Sequence, residues 1–476
     1  MIRNGVLKEE MKEPILIEKL NNELENYYQN KIFEDNNLSR KVVSFQANKK
    51  IASFRWYKYK EAFSASLVEY FISKYELKGK RILDPFVGVG TTLFSASSMG
   101  CDTVGIELLP VGQKIIESRM NAHFGYLNNY FDSIKDIFKK TEWHSFGKSK
   151  LNELRITKGA YPQNTHEKIE KYLSFLKTKT EPLKSMLELA LLSILEEVSY
   201  TRKDGQYLRW DYRANRSWGK KPFNKCIIKD FDDAVCKKLK EIVRDLNGSD
   251  NLTLFDSSDN LYQKNKLGNV KLIKGSCLQE LQKLDNNSFN AVITSPPYCN
   301  RYDYTRTYAL ELALLGINEK EMSELRQDML TCTVENREKK LLDINQSWNT
   351  TLESAKDVEL LNAILEYLEN LKIKKMLNNN SIIRMIRGYF YELSCVIYEL
   401  HRILYKNSLI FMVNDNVRYA GVSIPVDLIL SNIAEKIGFE IINILVLPQK
   451  KGNSSQQMGN HGRVELRKCV YIWKKA

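Results

Sequence analysis

An apolar strand that runs straight into a stiffened turn occurs twice in this chain of 476 residues, and this pattern narrows the fold more than anything else in it. The first is Arg81-Ile82-Leu83, which enters Asp84-Pro85-Phe86-Val87-Gly88-Val89-Gly90-Thr91-Thr92. The second is Phe289-Asn290-Ala291-Val292-Ile293-Thr294, which ends in Ser295-Pro296-Pro297-Tyr298. After the first turn the pattern predicts a helix from Thr91 to about Met99, with Gly100 at its C-terminal end. The next strand, Thr103-Val104-Gly105-Ile106, ends in Glu107. Strand, turn, helix and strand in that order open a parallel sheet. The predicted class is therefore α/β.

The glycine turn predicts a ligand held by backbone. Gly88 and Gly90 lack Cβ, so the chain there can come close to a bound molecule and adopt unusual φ. The helix that follows points its first N–H groups at that molecule. A dinucleotide turn needs Gly-x-Gly-x-x-Gly, and position 93 is Leu; a P-loop needs Lys before Thr, and none is present. Glu107 stands where an acid in a doubly wound fold accepts hydrogen bonds from ribose hydroxyls. The bland alternative is a surface carboxylate at a strand end.

Taken together, the two turns resemble those of the DNA amino-methyltransferases, which move a methyl group from S-adenosylmethionine to the exocyclic amine of cytosine or adenine. The first is similar to their cofactor motif, Asp-Pro-Phe-x-Gly-x-Gly-Thr, and the second to their catalytic motif, Ser/Asp/Asn-Pro-Pro-Tyr/Phe. The likeness covers roughly residues 50–110 and 270–475. It implies a Rossmann-like methyltransferase sheet with inserted, largely helical recognition regions. It also implies S-adenosylmethionine as cofactor, with Asp84 and Phe86 around its methionine half, Gly88, Gly90 and Thr91 in the turn, and Glu107 on the ribose. Lys60 and Phe63 fall in a segment similar to the family's first motif. Ser276 stands where the family often has an Asp that contacts the adenine amine.

The catalytic turn suits a poor nucleophile. An exocyclic amine has its lone pair delocalised into the ring, and acceptors for its hydrogens free that pair. By resemblance Ser295 Oγ and the Pro296 carbonyl are those acceptors, held by the fixed φ of Pro296 and Pro297. Tyr298 would stack on a base flipped out of the duplex. Methylation at carbon 5 needs a cysteine after proline, whereas Cys299 follows Tyr298 and reads as incidental. The other reading of Ser-Pro-Pro-Tyr, a proline-rich ligand, belongs to a disordered tract and not to the end of a strand.

Alternation is interrupted elsewhere. The predicted division is an N-terminal helical extension at 1–50, a catalytic unit at 51–117, 269–316 and 379–476, an insertion at 118–268 and a helical insertion at 317–378. Predicted helices include 61–75, 183–198 with Pro182 in the first turn, 382–404 and 425–436. Predicted strands include 408–413, 440–447 and 466–474, the last two flanking a Gly/Ser/Gln loop.

Lys and Arg number 72 against 58 Asp and Glu, an excess of +14 that points to a polyanionic partner. The insertion concentrates it: Arg202, Arg209, Arg213, Arg216 and Lys220 are interleaved with Trp210 and other aromatics, suiting phosphate contact and base stacking. The bland reading is a solvated basic loop with its aromatics packed inward. Arg301 and Arg306 follow the catalytic turn and are candidates for a DNA cleft or for ordinary packing. The resemblance implies double-stranded DNA as partner and allows a cognate restriction endonuclease. No Cys-x-x-Cys pair occurs, and the five histidines do not cluster with the eight cysteines. That argues against a metal site and a disulfide framework and fits the reducing cytoplasm. The N-terminus is charged, unlike a signal peptide, and no apolar run reaches membrane-spanning length. The expected activity is site-specific DNA methylation at cytosine N4, with adenine N6 as the alternative. An RNA N-methyltransferase and an inactive nucleic-acid-binding methylase fold are the rivals.

Overall fold

The computed structural model describes residues 12–35, 37–38, 42–204, 207–214, 216, 223–247, 267–447 and 464–476. Its strands are β1 (Ile32–Glu34), β2 (Arg81–Asp84), β3 (Asp102–Glu107), β4 (Thr201–Lys203), β5 (Leu208–Trp210), β6 (Val270–Lys274), β7 (Phe289–Thr294), β8 (Leu404–Asp415), β9 (Val417–Tyr419), β10 (Val422–Ile424), β11 (Phe439–Val446) and β12 (Lys468–Lys475). Eight of them form one sheet in the order β1-β11-β12-β8-β7-β2-β3-β6. Pairing is parallel throughout except at β12, which runs antiparallel to both β11 and β8. This mainly parallel sheet with helices around it is a Rossmann-like methyltransferase fold.

The strands are buried on both faces, as a parallel sheet requires. Leu83, Val292, Ile410 and Met412 face one core. Their neighbours Ile82, Ala291, Ile293, Phe411 and Val413 face the other. The helix Ala65–Lys74 covers that second face, capped by Ser64, whose Oγ accepts from Leu67 N at 3.3 Å. Its Phe71 stacks on Phe411 at 4.5 Å between centroids. The helix Ser381–Ile403 covers the first face.

The two insertions differ in how they pack. Between 118 and 268, the helices Gln163–Leu176, Leu183–Val198 and Phe231–Leu246 share a core around Trp143, Tyr172 and Phe175 that continues into Trp56, Ile115 and Leu312 outside the insertion. Pro182 is the N-cap of its helix and not a first-turn residue. The helix Pro110–His123 runs unbroken across the expected boundary at 117, and Lys114 pairs with Glu188 at 2.9 Å. In the later insertion, Leu360, Leu361, Ile364, Leu365 and Leu368 of the helix Glu359–Ile373 join the core beneath the sheet.

Two elements depart from expectation. The N-terminal region is not only helical: after the helix Lys12–Tyr28, β1 extends the sheet beside β11. Three residues are too few to show the alternation by which a strand is read. The strand expected at 408–413 begins at Leu404, because a register shift between Phe289 and Ala291 lets β8 pair past the polar Lys406 and Asn407. The Gly/Ser/Gln loop lies outside the described residues, apart from its flanks. Among the described residues no helix is long and apolar enough to cross a membrane.

Candidate active site

β2 and β7 are neighbours in the sheet, so the two turns that follow them open on the same edge. Between the turns lies a cleft of about 790 Å³, partly open to solvent. Asp84 to Gly88 and Thr91 line it from the first turn, and Ser295 and Pro297 from the second. Glu107 to Leu109 close the side beneath β3, and Gly275 to Cys277 the side beyond β6.

Asp84 ties the two turns together. Its Oδ1 accepts from Phe86 N at 3.1 Å and from Thr294 Oγ1 at 2.6 Å, and its Oδ2 from Thr92 Oγ1 at 2.7 Å. Thr294 immediately precedes Ser295. Burial pushes the Asp84 carboxyl up to about 6, against the pull of those three bonds. Its oxygens serve the scaffold, although Asp84 also lines the cleft.

The glycines play separate parts. Gly88 sits at φ +58, and a Cβ there would lie 3.1 Å from the Tyr59 ring. Gly90, at φ +87, is the left-handed N-cap of the helix Thr91–Ser98 and does not line the cleft. A Cβ on Gly90 would strike Phe94 at 2.7 Å. A third glycine matters that was not singled out. Gly112, in the helix Pro110–His123, leaves room for the Gly88 carbonyl and the Glu107 side chain, which a Cβ would meet at 2.5 and 2.8 Å.

Glu107 Oε1 accepts from Leu109 N at 2.7 Å. Burial pushes its carboxyl up to about 8, while the amides of Leu109 and Gly88 pull it down. Thr91 Oγ1 is buried with no hydrogen-bond partner among the described residues. Phe63 lines the cleft, but Lys60 does not: it is exposed and its Nζ reaches Lys203 O at 3.5 Å. The neighbours of Lys60, Tyr59 and Glu61, face the cleft instead, and Tyr59 stacks on Tyr308 at 5.2 Å. Both Glu61 oxygens accept phenol hydroxyls, from Tyr302 and Tyr308. Ser276 donates its hydroxyl to Asp328 O at 2.8 Å, which brings Asp328 to the cleft.

At the catalytic turn, Ser295 Oγ lies 3.1 Å from the Val413 carbonyl and 3.1 Å from the Tyr298 hydroxyl. Pro296 and Tyr298 are not among the residues that line the cleft; Pro296 is buried and Tyr298 half-buried. Lys468 Nζ is 3.4 Å from the same Tyr298 hydroxyl. Cys299 is buried, and burial holds its thiol far above the ordinary range, so no thiolate forms there.

Many of the basic candidates have internal partners. Arg213 donates to the buried Asp211 at 2.6 Å and to Cys226 O at 3.3 Å. Arg216 stacks on Trp210 at 4.4 Å and donates to Lys158 O and Arg155 O at 2.9 and 2.7 Å. Arg209 lies 4.5 Å over Phe223 and 3.7 Å from Asp204; Arg202 is exposed, 5.8 Å over the same ring. Lys220 lies outside the described residues. Arg306 pairs with Asp303 at 3.3 Å and Glu335 at 3.1 Å. Arg301 sits at φ +66, and its buried Nε has no partner among the described residues. Nor do the described residues contain a group of His, Cys, Asp or Glu placed to hold a metal ion.

Residues 3–118 match a family described as DNA methylase, of the N6 and N4 type. The chain is 51% identical over 461 residues to the Type II methyltransferase M.AvaI of Nostoc sp. (strain PCC 7120), covering 96% of this chain and 94% of that protein. It is 41% identical over 483 residues to the Type II methyltransferase M.BsoBI of Geobacillus stearothermophilus, covering 96% and 92%. Against the Type II methyltransferase M.MvaI of Kocuria varians the identity is 22% over 435 residues, covering 83% and 84%. The chain belongs to the Type II DNA methyltransferases, amino-methyltransferases of the restriction-modification kind.

Proposed function

We propose that this protein methylates the exocyclic amine of a flipped base in double-stranded DNA, at cytosine N4, with S-adenosylmethionine as methyl donor. The observation that carries this reading is the shared cleft, lined by the glycine turn on one side and by Ser295 and Pro297 on the other. The cradle suits the donor's chemistry. Glu107 offers a carboxylate for vicinal hydroxyls, Thr91 an unused buried hydroxyl, and Gly88 a close-lying backbone. When bound, S-adenosylmethionine supplies an electrophilic methyl group on a sulfonium. Phe63, Phe86, Gly88, Thr91 and Glu107 would hold it.

The rest of the chemistry belongs to side chains. Ser295 Oγ and the Pro296 carbonyl accept the two amine hydrogens and draw the nitrogen toward tetrahedral geometry. Tyr298 stacks on the base once it leaves the duplex. The proton is lost after methyl transfer, when the nitrogen is already acidic, so a neutral hydroxyl suffices as acceptor. Serine at the first position of the turn favours cytosine N4 by resemblance; adenine N6 is the alternative. Arg202 and Arg209 of the insertion are the phosphate contacts we favour, and a restriction endonuclease of the same specificity is the proposed partner system. Transfer of labelled methyl from S-adenosylmethionine to duplex DNA but not to tRNA is the expected result. Transfer to tRNA alone would overturn the substrate assignment.

A further inference from the structure

We infer that Lys468, paired with Asp415, is a positioning residue of the catalytic turn: it anchors the Tyr298 hydroxyl and through it orients the hydroxyl of Ser295. This rests on the function proposed above.

Lys468 opens β12, the antiparallel strand, and its register partner on β8 is Asp415. The two side chains pair at 3.3 Å, and the Lys468 side chain is only 24% exposed. An ammonium that far from water needs partners. It has Asp415 and the Tyr298 hydroxyl at 3.4 Å, and it lies 5.2 Å over the Tyr298 ring. Burial pulls the Lys468 pKa down, but Asp415 and Tyr298 more than offset it, so the group stays charged.

The contacts then meet at the Tyr298 hydroxyl. Tyr298 Oη is 3.1 Å from Ser295 Oγ, which is 3.1 Å from the Val413 carbonyl. An ammonium only donates and a carbonyl only accepts. Ser295 Oγ is the donor toward both Tyr298 Oη and the Val413 carbonyl, and Lys468 Nζ donates to the same Tyr298 oxygen, so the ammonium fixes that oxygen as an acceptor for Ser295. The single Ser295 proton is held between those two acceptors, and the lone pairs of Oγ are left for the amine.

The test is a double-mutant cycle on methyl transfer to DNA. Lys468→Met alone would take a cation from the Asp415 carboxylate, so the cycle is built on Asp415→Asn, with thermal melts to certify each variant as folded. In that background Lys468→Met is expected to lower kcat about tenfold, the size of a lost hydrogen bond to a charged group, with KM for the cofactor unchanged. Added to Tyr298→Phe, which already lacks the hydroxyl, Lys468→Met should cost less than about twofold more. Lys468→Arg, in the otherwise unaltered protein, should retain most activity. Equal losses from Lys468→Met with and without the Tyr298 hydroxyl would overturn the inference, as would a loss confined to KM. If Lys468→Met does not fold, the Arg variant decides: a tenfold fall in kcat with the cation kept would also overturn it. An unaltered protein that moves no methyl to DNA would instead refute the function itself.

Discussion

Gly112→Ala perturbs the cofactor cradle from outside the cleft. Alanine is the better helix former by about 1 kcal/mol, so propensity alone predicts a more stable protein. The structure predicts the reverse. The new Cβ would stand 2.5 Å from the Gly88 carbonyl oxygen and 2.8 and 2.9 Å from Cγ and Cδ of Glu107. Restoring ordinary contact needs a movement of about 0.5–1 Å. The Gly88 carbonyl cannot swing freely, because Val87 N is bound to Ile106 O at 3.2 Å and Gly90 N to Val87 O at 2.9 Å. Nor can Glu107 retreat easily, since Gly275 N and Gln113 Nε2 hold its carbonyl at 3.0 and 2.9 Å. Overpacking of this kind costs about 1–3 kcal/mol, more than the helix gains. Stability should therefore fall by up to about 2 kcal/mol, while cofactor affinity falls at least about tenfold as Gly88 and Glu107 are pushed apart. Calorimetric titration with S-adenosylmethionine, alongside a thermal melt, reads both. A folded variant with unaltered affinity would refute the claim that this backbone approach shapes the site.

Four further outcomes follow from the same geometry. Gly88→Val places a β-branched residue at φ +58 with its Cβ 3.1 Å from the Tyr59 ring, so titration should detect no cofactor binding, and a melt should show about 1–2 kcal/mol of lost stability. Glu107 has its pKa raised to about 8, from an ordinary 4.5, so the folded protein holds a proton that the unfolded chain releases. Its contribution to stability is full below 4.5 and is lost as pH rises through about 8. Because ribose hydroxyls favour the carboxylate, cofactor affinity should rise with pH up to about 8 and then level off, and Glu107→Gln should flatten that profile; a slope that survives the substitution would assign the proton elsewhere. Arg202→Ala with Arg209→Ala should reduce the slope of log affinity for DNA against log salt by about 0.9 per lost phosphate contact. Arg213→Ala should instead lower the melting temperature, because it leaves Asp211, 0% exposed, without its cation.

The sheet was legible because each strand enters a turn with its own chemistry. Arg81 to Thr92 and Phe289 to Tyr298 carry both the apolar run and the residues that end it, so they located the cleft from local pattern alone. The edge strand β1 was not, since three residues with one partner strand leave no periodicity. Lys60 was placed in the cleft by a loose motif, and the structure brings in its neighbours Tyr59 and Glu61 instead; Tyr59 to Ala62 form a turn, closed by Ala62 N on Tyr59 O at 3.3 Å, that leaves Lys60 exposed. Gly90 read as a cradle glycine and is a cap, a distinction that depends on where the Phe94 ring lies. Asp328 and Lys468 reach the site only through tertiary structure. Because β12 runs against β8, its first residue lies opposite Asp415, at the end of β8, on the sheet edge that carries both turns. Nothing around Lys468 in the sequence distinguishes it from 71 other basic residues, one short of the total of 72 Lys and Arg.

The central claim is methyl transfer to an exocyclic amine in DNA. Duplex DNA incubated with the protein and S-adenosylmethionine, digested to nucleosides and resolved by mass spectrometry, tests it directly. The account predicts N4-methylcytosine, lost when Ser295 is replaced by Ala. N6-methyladenine in its place would overturn the choice of base. Methyl at carbon 5 of cytosine, or none in the DNA, would contradict the chemistry assigned to Ser295 and the cleft.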